Sequence, residues 1–247
     1  MKTLEVAGLV LSVLTAMACR AADTPPPIRF TRPDRPFMLV SPEELTVAKA
    51  KIGSQRWAAD GLKALCARAD EIVANPNLFP ESEGGWTHKY VAPKTSAKLK
   101  FDSKSPRRHL DPSTGEYWTG KQYDDAWNKH SMHITVDQQE VLAAAWTLTQ
   151  DKRYAETMRT VFLDIAKKYK TYRLHDKSMV LLPADEPMGT NALTGGFATA
   201  QSIDECSTFT SLAFSYDTLA GSGVLSEAEQ KQIEVKVCFY VLDLSCT

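Results

Sequence analysis

No apolar run in this sequence is long enough to stay in a membrane. The longest near the start, Val6 to Leu14, falls well short of the roughly 20 residues that a spanning helix requires. Charge of neither sign is in excess: 29 Lys and Arg stand against 30 Asp and Glu, a net −1. Without a general basic field, nucleic acid is excluded as a partner, and any polyanion site has to be a local cluster. Cysteine is scarce. The five present (Cys19, Cys66, Cys206, Cys238 and Cys246) form no C-x-x-C pair and are too few for a disulfide scaffold. Cys66 and Cys206 fall in helical patterns and read as small core residues. Helical hairpins do not recur at the fixed spacing of about 34 residues that marks tetratricopeptide arrays.

What is present suffices for a globular core. Apolar residues make up 43% of 247, and charged residues 24%, the balance of one large domain or two small ones. At the N-terminus, Lys2 precedes the apolar run, which ends in Ala16-Met17-Ala18 before Cys19. That is the form of a secretory signal over residues 1–18, so a periplasmic or secreted location is expected. Lipidation of Cys19 is the alternative, although Ala16 stands where such signals carry Leu. Residues 19–40 read as a Pro-rich tether.

The helical signal is clearest in residues 138–169. Tyr154, Met158, Val161, Phe162, Ile165 and Tyr169 recur at helical spacing on one stripe, with charges around the rest. Before them, Val141, Leu142, Ala145, Trp146 and Leu148 crowd one side of another helix, and the alanines 143–145 allow close approach of a neighbour. The polar break Thr149-Gln150-Asp151 folds the two into an antiparallel hairpin. Upstream, Ser41-Pro42-Glu43-Glu44 starts a helix to about Ile52. A second runs from about Gln55 to Val73 on Trp57, Leu62, Leu65, Ala69 and Ile72, ended by Asn75-Pro76. Near the other end, Ile203, Cys206, Phe209, Leu212, Ala213 and Tyr216 make a stripe, and Ser226 with Glu229 forms a capping box for the next helix. From Val235 onward the pattern decays, which reads as a chain stopping inside a larger fold.

Between residues 80 and 120, Gly84-Gly85 and four prolines (Pro80, Pro93, Pro106, Pro112) rule out a long helix. Strand-like pieces lie at Lys98–Phe101 and Glu116–Thr119. An internal echo pairs A-P-K-T-S at 92–96 with D-P-S-T-G at 111–115.

The string HKYVAPKTSAKLKFD, followed by RRHLDPSTGEYWTGKQYDDAWNKH, resembles the N-terminal part of heparinase II/III-like and alginate-lyase-like polysaccharide lyases. Members of that group often read H-x-Y-x-C-P-x-C-G-x-x-L-x-F-D, H-x-C-P-x-C-G-x-x-Y and D-x-A-W. The resemblance continues through A-x-x-x-x-L-T-x-D-x-x-Y-A in the helix pair and through SIDECSTFTSLAFSYDTLAGSGVLSEAEQKQIE at 202–234. It covers roughly residues 41–235 and implies an all-α fold. The expected architecture is an incomplete (α/α) toroid of antiparallel helical hairpins over 41–247, with a small β-hairpin-like insertion near 86–120 and the C-terminal part missing. The four positions that carry zinc-binding cysteines in the family are here Ala92, Thr95, Asp111 and Thr114, so no metal is expected. His88 and His109 then read as surface or hydrogen-bonded residues. Tyr90, Leu99, Phe101, Tyr117 and Trp118 would hold the hairpin instead.

The implied activity is β-elimination of a uronic-acid-containing polysaccharide, alginate or heparin/heparan sulfate in type, without cofactor. It requires a carboxylate-neutralising group, a base and an acid. The family draws these from an Asn-His motif and from later Tyr and His residues. No Asn-His dipeptide occurs here, so no catalytic residue is assigned and the chain is expected to be inactive. Three residues remain as candidates to line a sugar groove. Gln201 precedes a helix start, where the family presents a polar side chain. Trp127 and His130 lie near another helix start with His133, and a Trp there can stack on a pyranose or fill the core. Lys98, Lys100, Lys104, Arg107 and Arg108 form the dense basic cluster, read either as a solvated loop or as a contact for a polyanionic glycan. The loop 174–200 is long enough to cover a groove. A glycan-binding module without catalysis and a helical protein-binding scaffold are the alternatives. The sequence is silent on oligomeric state.

Overall fold

A computed structural model describes residues 36, 38–183 and 195–238. The expected signal segment, most of the tether, Cys19, residues 184–194 of the long loop and Cys246 lie outside the described residues. The described part is mostly helical. Among the described residues no helix is long and apolar enough to cross a membrane.

Helix α1 (Pro42–Ser54) opens as its sequence demands. The Ser41 hydroxyl accepts from the Glu44 N–H at 3.2 Å, and the Glu44 carboxylate accepts from the Ser41 N–H at 2.9 Å. One extended residue, Gln55, separates it from α2 (Arg56–Ala74), which buries Ala58, Ala69 and Ile72. The long helix α3 (Lys121–Thr149) and the amphipathic α4 (Lys152–Lys168) fold back on each other through Gln150, which takes the left-handed conformation at φ 60°. The α4 N-terminus is capped by Asp151, whose carboxylate accepts from the Arg153 N–H at 2.9 Å. All six residues of the predicted stripe, from Tyr154 to Tyr169, are buried. Each such side chain contributes about 1.5–3 kcal/mol of transfer free energy.

Helix α5 (Ser202–Gly221) packs against α3 and α4. Helix α6 (Glu227–Ile233), with the predicted Ser226–Glu229 capping box, packs on α4 and runs into a π-helical turn at Glu234–Cys238. One apolar cluster joins Ile72, Met132, Leu142, Ala145, Phe162, Ile165, Phe209, Leu212 and Ile233 across these helices.

The α5 stripe needs correction. Phe209, Leu212 and Tyr216 face inward, but Ile203 is 74% exposed and Cys206 is exposed rather than a core residue. The inward positions of the first turns belong to Glu205 and Thr208. Cys66 is half-buried.

The insertion is a pair of short antiparallel turns. β1 (His109–Leu110) pairs with β2 (Tyr117–Trp118) in the register Leu110 to Tyr117, and Val91 bridges Lys98. The internal echo is a structural one. In each turn the fifth residue has positive φ, Ser96 at 58° and Gly115 at 78°, and donates its N–H to the first residue, Ala92 or Asp111. Side chains tie the turns together: the Thr95 hydroxyl donates to Asp111 at 2.8 Å, and Asp111 also accepts from the Ser113 hydroxyl and N–H. These donors hold the Asp111 carboxyl below the usual carboxylate range, the Ser113 hydroxyl first among them. The two turns thus meet through a hydrogen-bonded Thr95–Asp111 pair. A small core of Tyr90, Leu99, Tyr123 and Trp127, with Phe101 and Trp118 against it, seats the turns on the first half of α3, whereas Tyr117 is 52% exposed.

Candidate functional site

The N-terminal half of α3 carries both the groups that chemistry would need and the reason most of them are out of reach. His109 is fully buried. Its Nδ1 lies 2.9 Å from the Tyr90 hydroxyl and its Nε2 lies 2.9 Å from Asp124, which also accepts from Arg107 at 2.8 Å. This Tyr–His–Asp chain has the composition of a proton relay, but Tyr90 is 1% exposed. Burial, then the charges of Asp102 and Asp124, push the phenol above its ordinary value, the opposite of what a base requires. The chain fastens the insertion to α3.

His130 packs against Tyr90, with ring centroids 5.1 Å apart, and its Nε2 is buried with no hydrogen-bond partner. Burial, followed by the charges of Lys98, His133 and Lys129, pushes its pKa down to about 4. It is a neutral imidazole at neutral pH, with that nitrogen sealed from solvent. Trp127 turns inward: it is 7% exposed, its ring stacks on Phe101 at 5.3 Å, and its Nε1 donates to the Asp102 carbonyl at 2.8 Å. Its faces are occupied, so it is not placed to receive a sugar. Gln201 is half-buried at the N-cap of α5, where its carbonyl accepts from the Thr199 hydroxyl and the Glu205 N–H.

A partly exposed aromatic ring near these residues is Trp86, which sequence reasoning passed over. Gly84 and Gly85 carry the chain so close to α3 that an added Cβ would lie 2.9 Å from the Lys129 Cα and 2.7 Å from the Asp125 Cβ. Gly85 donates to the Asp125 carbonyl at 2.7 Å, and Gly84 to the Ala198 carbonyl at 2.8 Å. The partly exposed Trp86 follows at once, with the His88 ring 4.9 Å from it, the Lys129 ammonium 5.6 Å from its centroid and the Lys177 ammonium 6.0 Å away. Lys129 is 3% exposed and salt-bridged to Asp204 in the first turn of α5, which brings Gln201 to the same neighbourhood. His133 stands one helical turn beyond Lys129. The arrangement offers an aromatic face, one exposed cation in Lys177 and polar side chains from three segments of the chain.

Behind this platform, Glu205 organises the segment 195–200. One carboxylate oxygen accepts from the Tyr169 hydroxyl at 2.7 Å and from the N–H groups of Phe197 and Ala198 at 3.3 and 3.1 Å. The other accepts from the Thr199 N–H at 2.8 Å. The periodicity of α5 gave no sign of this hub. The one legible signal was the Gly-rich stretch before it, whose backbone N–H groups need an acceptor.

Among the described residues, no group of three or more His, Cys, Asp or Glu converges to hold a metal ion. No protein-family model matches the chain, and no curated protein matches it.

Proposed function

We propose that the chain binds an acidic, uronic-acid-containing polysaccharide of the alginate or heparin/heparan sulfate type. In this reading it is the N-terminal part of an exported lyase-like (α/α) toroid, and it does not itself perform β-elimination. The observation that carries the proposal is the Trp86 platform: a partly exposed indole with Lys177 and Lys129 beside it, and Asp204 paired with Lys129. An indole face suits the C–H face of a pyranose, and an ammonium beside it suits the ring carboxylate. Helices α1 to α4 each pack on the next, and α5 and α6 both pack on α4, which supports the toroid part of the reading. The reading of no catalysis rests on the sequence, which holds no Asn-His dipeptide.

The test is titration of the full chain with alginate and heparan sulfate fragments, alongside the absorbance of the unsaturated product. Binding without an absorbance rise is expected, and Trp86→Ala should weaken it about tenfold. Wild-type affinity in that variant, or a rise in absorbance, refutes the corresponding half of the proposal. A second reading, a protein-binding helical scaffold, rests on an apolar groove of about 630 Å³ along α1 and α2 that includes the 67% exposed Trp57. It becomes the preferred reading if neither polysaccharide binds.

A further inference from the structure

A cavity lined by the insertion and α3 lies away from the Trp86 platform. It occupies about 760 Å³ between the insertion, the Asn75–Leu78 segment and the outer side of α3 at Ile134 and Gln138. Ile134 follows Lys129 by five positions, about 140° around the helix, so the two features look out in different directions. Three cations line the cavity: Lys100, Lys104 and Arg108.

The cations of this stretch divide into paired and unpaired ones. Arg107, next in sequence to Arg108, is paired with Asp124, and Lys94 is paired with Glu116. Arg153, Arg159 and Arg173 each hold a carboxylate as well. Among the described residues no carboxylate pairs with Lys100, Lys104 or Arg108. One acidic side chain, Asp102, shares the lining, and one of its oxygens is taken by the Lys104 N–H at 2.9 Å. Arg108 is held in place without being neutralised, because its guanidinium lies 4.3 Å from the centroid of the exposed Tyr117 ring. Gln138 adds a neutral donor. Its carbonyl accepts from the Asn77 N–H at 2.9 Å, which leaves its amide N–H groups for the cavity.

We infer that this cavity is a second saccharide site, one that receives the sulfate or carboxylate of an acidic sugar on Arg108, Lys100 and Lys104, with the Tyr117 ring orienting Arg108 for it. A guanidinium already oriented by a ring loses little freedom when it forms a bidentate pair with an oxyanion. The geometry of the cavity is independent of the platform. Only the choice of an acidic polysaccharide, rather than another anion, rests on the function proposed above.

The test uses the full chain and two probes, a heparin tetrasaccharide and an alginate tetrasaccharide, titrated by calorimetry at low salt. Wild type is expected to take two oligosaccharides per chain. The triple variant Lys100→Ala/Lys104→Ala/Arg108→Ala, altered only at exposed side chains, should take one, and Tyr117→Ala should weaken the same site about tenfold. Trp86→Ala should remove the other site. Lys98→Ala, which discharges the same stretch outside the cavity, should change neither. Two sites of unchanged affinity in the triple variant overturn the inference while leaving the platform standing. A single site that survives Trp86→Ala and vanishes in the triple variant overturns the platform and upholds the cavity. An equal loss in Lys98→Ala shows a diffuse field in place of a site and also overturns the inference. Heparin binding without alginate binding assigns the cavity to sulfate, and the reverse assigns it to carboxylate.

Discussion

Replacing Glu205 should release the 195–200 segment, and the size of the effect follows from its four donors. In Glu205→Ala the N–H groups of Phe197, Ala198 and Thr199 and the Tyr169 hydroxyl lose their shared acceptor inside the protein, where Ala198 and Thr199 are fully buried. Each orphaned buried donor costs about 1–3 kcal/mol. The simple sum overshoots, because the segment can detach and find water at the cost of its own packing, which caps the loss at roughly 4 kcal/mol. For a chain of this size that corresponds to a fall of roughly 10 °C in Tm. Glu205→Gln separates charge from shape. Its remaining oxygen still serves Tyr169, Phe197 and Ala198, while its amide N–H₂ confronts the Thr199 N–H. One orphan remains, for a loss of about 2 kcal/mol. Urea unfolding gives the two free energies, and hydrogen exchange reports the amides of Phe197, Ala198 and Thr199. If Glu205→Ala costs under about 1 kcal/mol, if those amides stay protected, or if the Gln variant is the less stable, the carboxylate is not the hub.

Other consequences can be checked alongside. The His130 pKa lies at about 4 in the folded chain against an ordinary 6.5, so the unfolded chain binds the extra proton between those values. Stability from this group is complete above pH 6.5, is lost as pH falls toward 4 and changes no further below that. The wild type should therefore lose up to about 3 kcal/mol more than His130→Phe between neutral and acid pH in paired urea titrations. Asp111→Ala removes the acceptor that joins the two turns, and should lower Tm and reduce the near-UV circular dichroism of the insertion while the far-UV signal of the helices persists. Phe162→Ala empties a site that is 1% exposed at the centre of the helical core, and should cost about 3–5 kcal/mol in urea denaturation.

The helices were legible where a single physical rule decided them. In α4 every inward position is apolar, so periodicity alone selects the buried face from Tyr154 to Tyr169. At Ser41 and Ser226 the capping boxes mark the first turns, because the unpaired N–H groups there leave few alternatives. In α5 two rules conflict. Phe209, Leu212 and Tyr216 set the buried face, yet Ile203 stands about 200° from Glu205 on the same helix. The segment 195–200 supplies the donors for Glu205, and they turn that polar residue inward. Apolar periodicity cannot register a demand made by backbone N–H groups outside the helix. The insertion was legible as an echo in sequence, but the hydrogen bond from Thr95 to Asp111 that joins its halves was not.

The candidate site fails to show in sequence for a related reason. A tryptophan in a helical pattern and a tryptophan after two glycines look equally available for a sugar, and what separates them is whether a neighbour covers the ring. Trp127 sits where the insertion lays Phe101 across it. Trp86 stays partly exposed beside His88, Lys129 and Lys177, on a backbone that Gly84 and Gly85 hold against Lys129 and Asp125 with no room for side chains. The polar edge of the platform is set from the opposite direction. Glu205 fixes the segment entering α5, and the next residue back, Asp204, engages Lys129 beside the ring. The platform thus joins four stretches of the chain, at Trp86, Lys129, Lys177 and Asp204. Loss of the Glu205 hub should reach it through Asp204, whereas loss of the Asp111 link in the insertion should leave it in place.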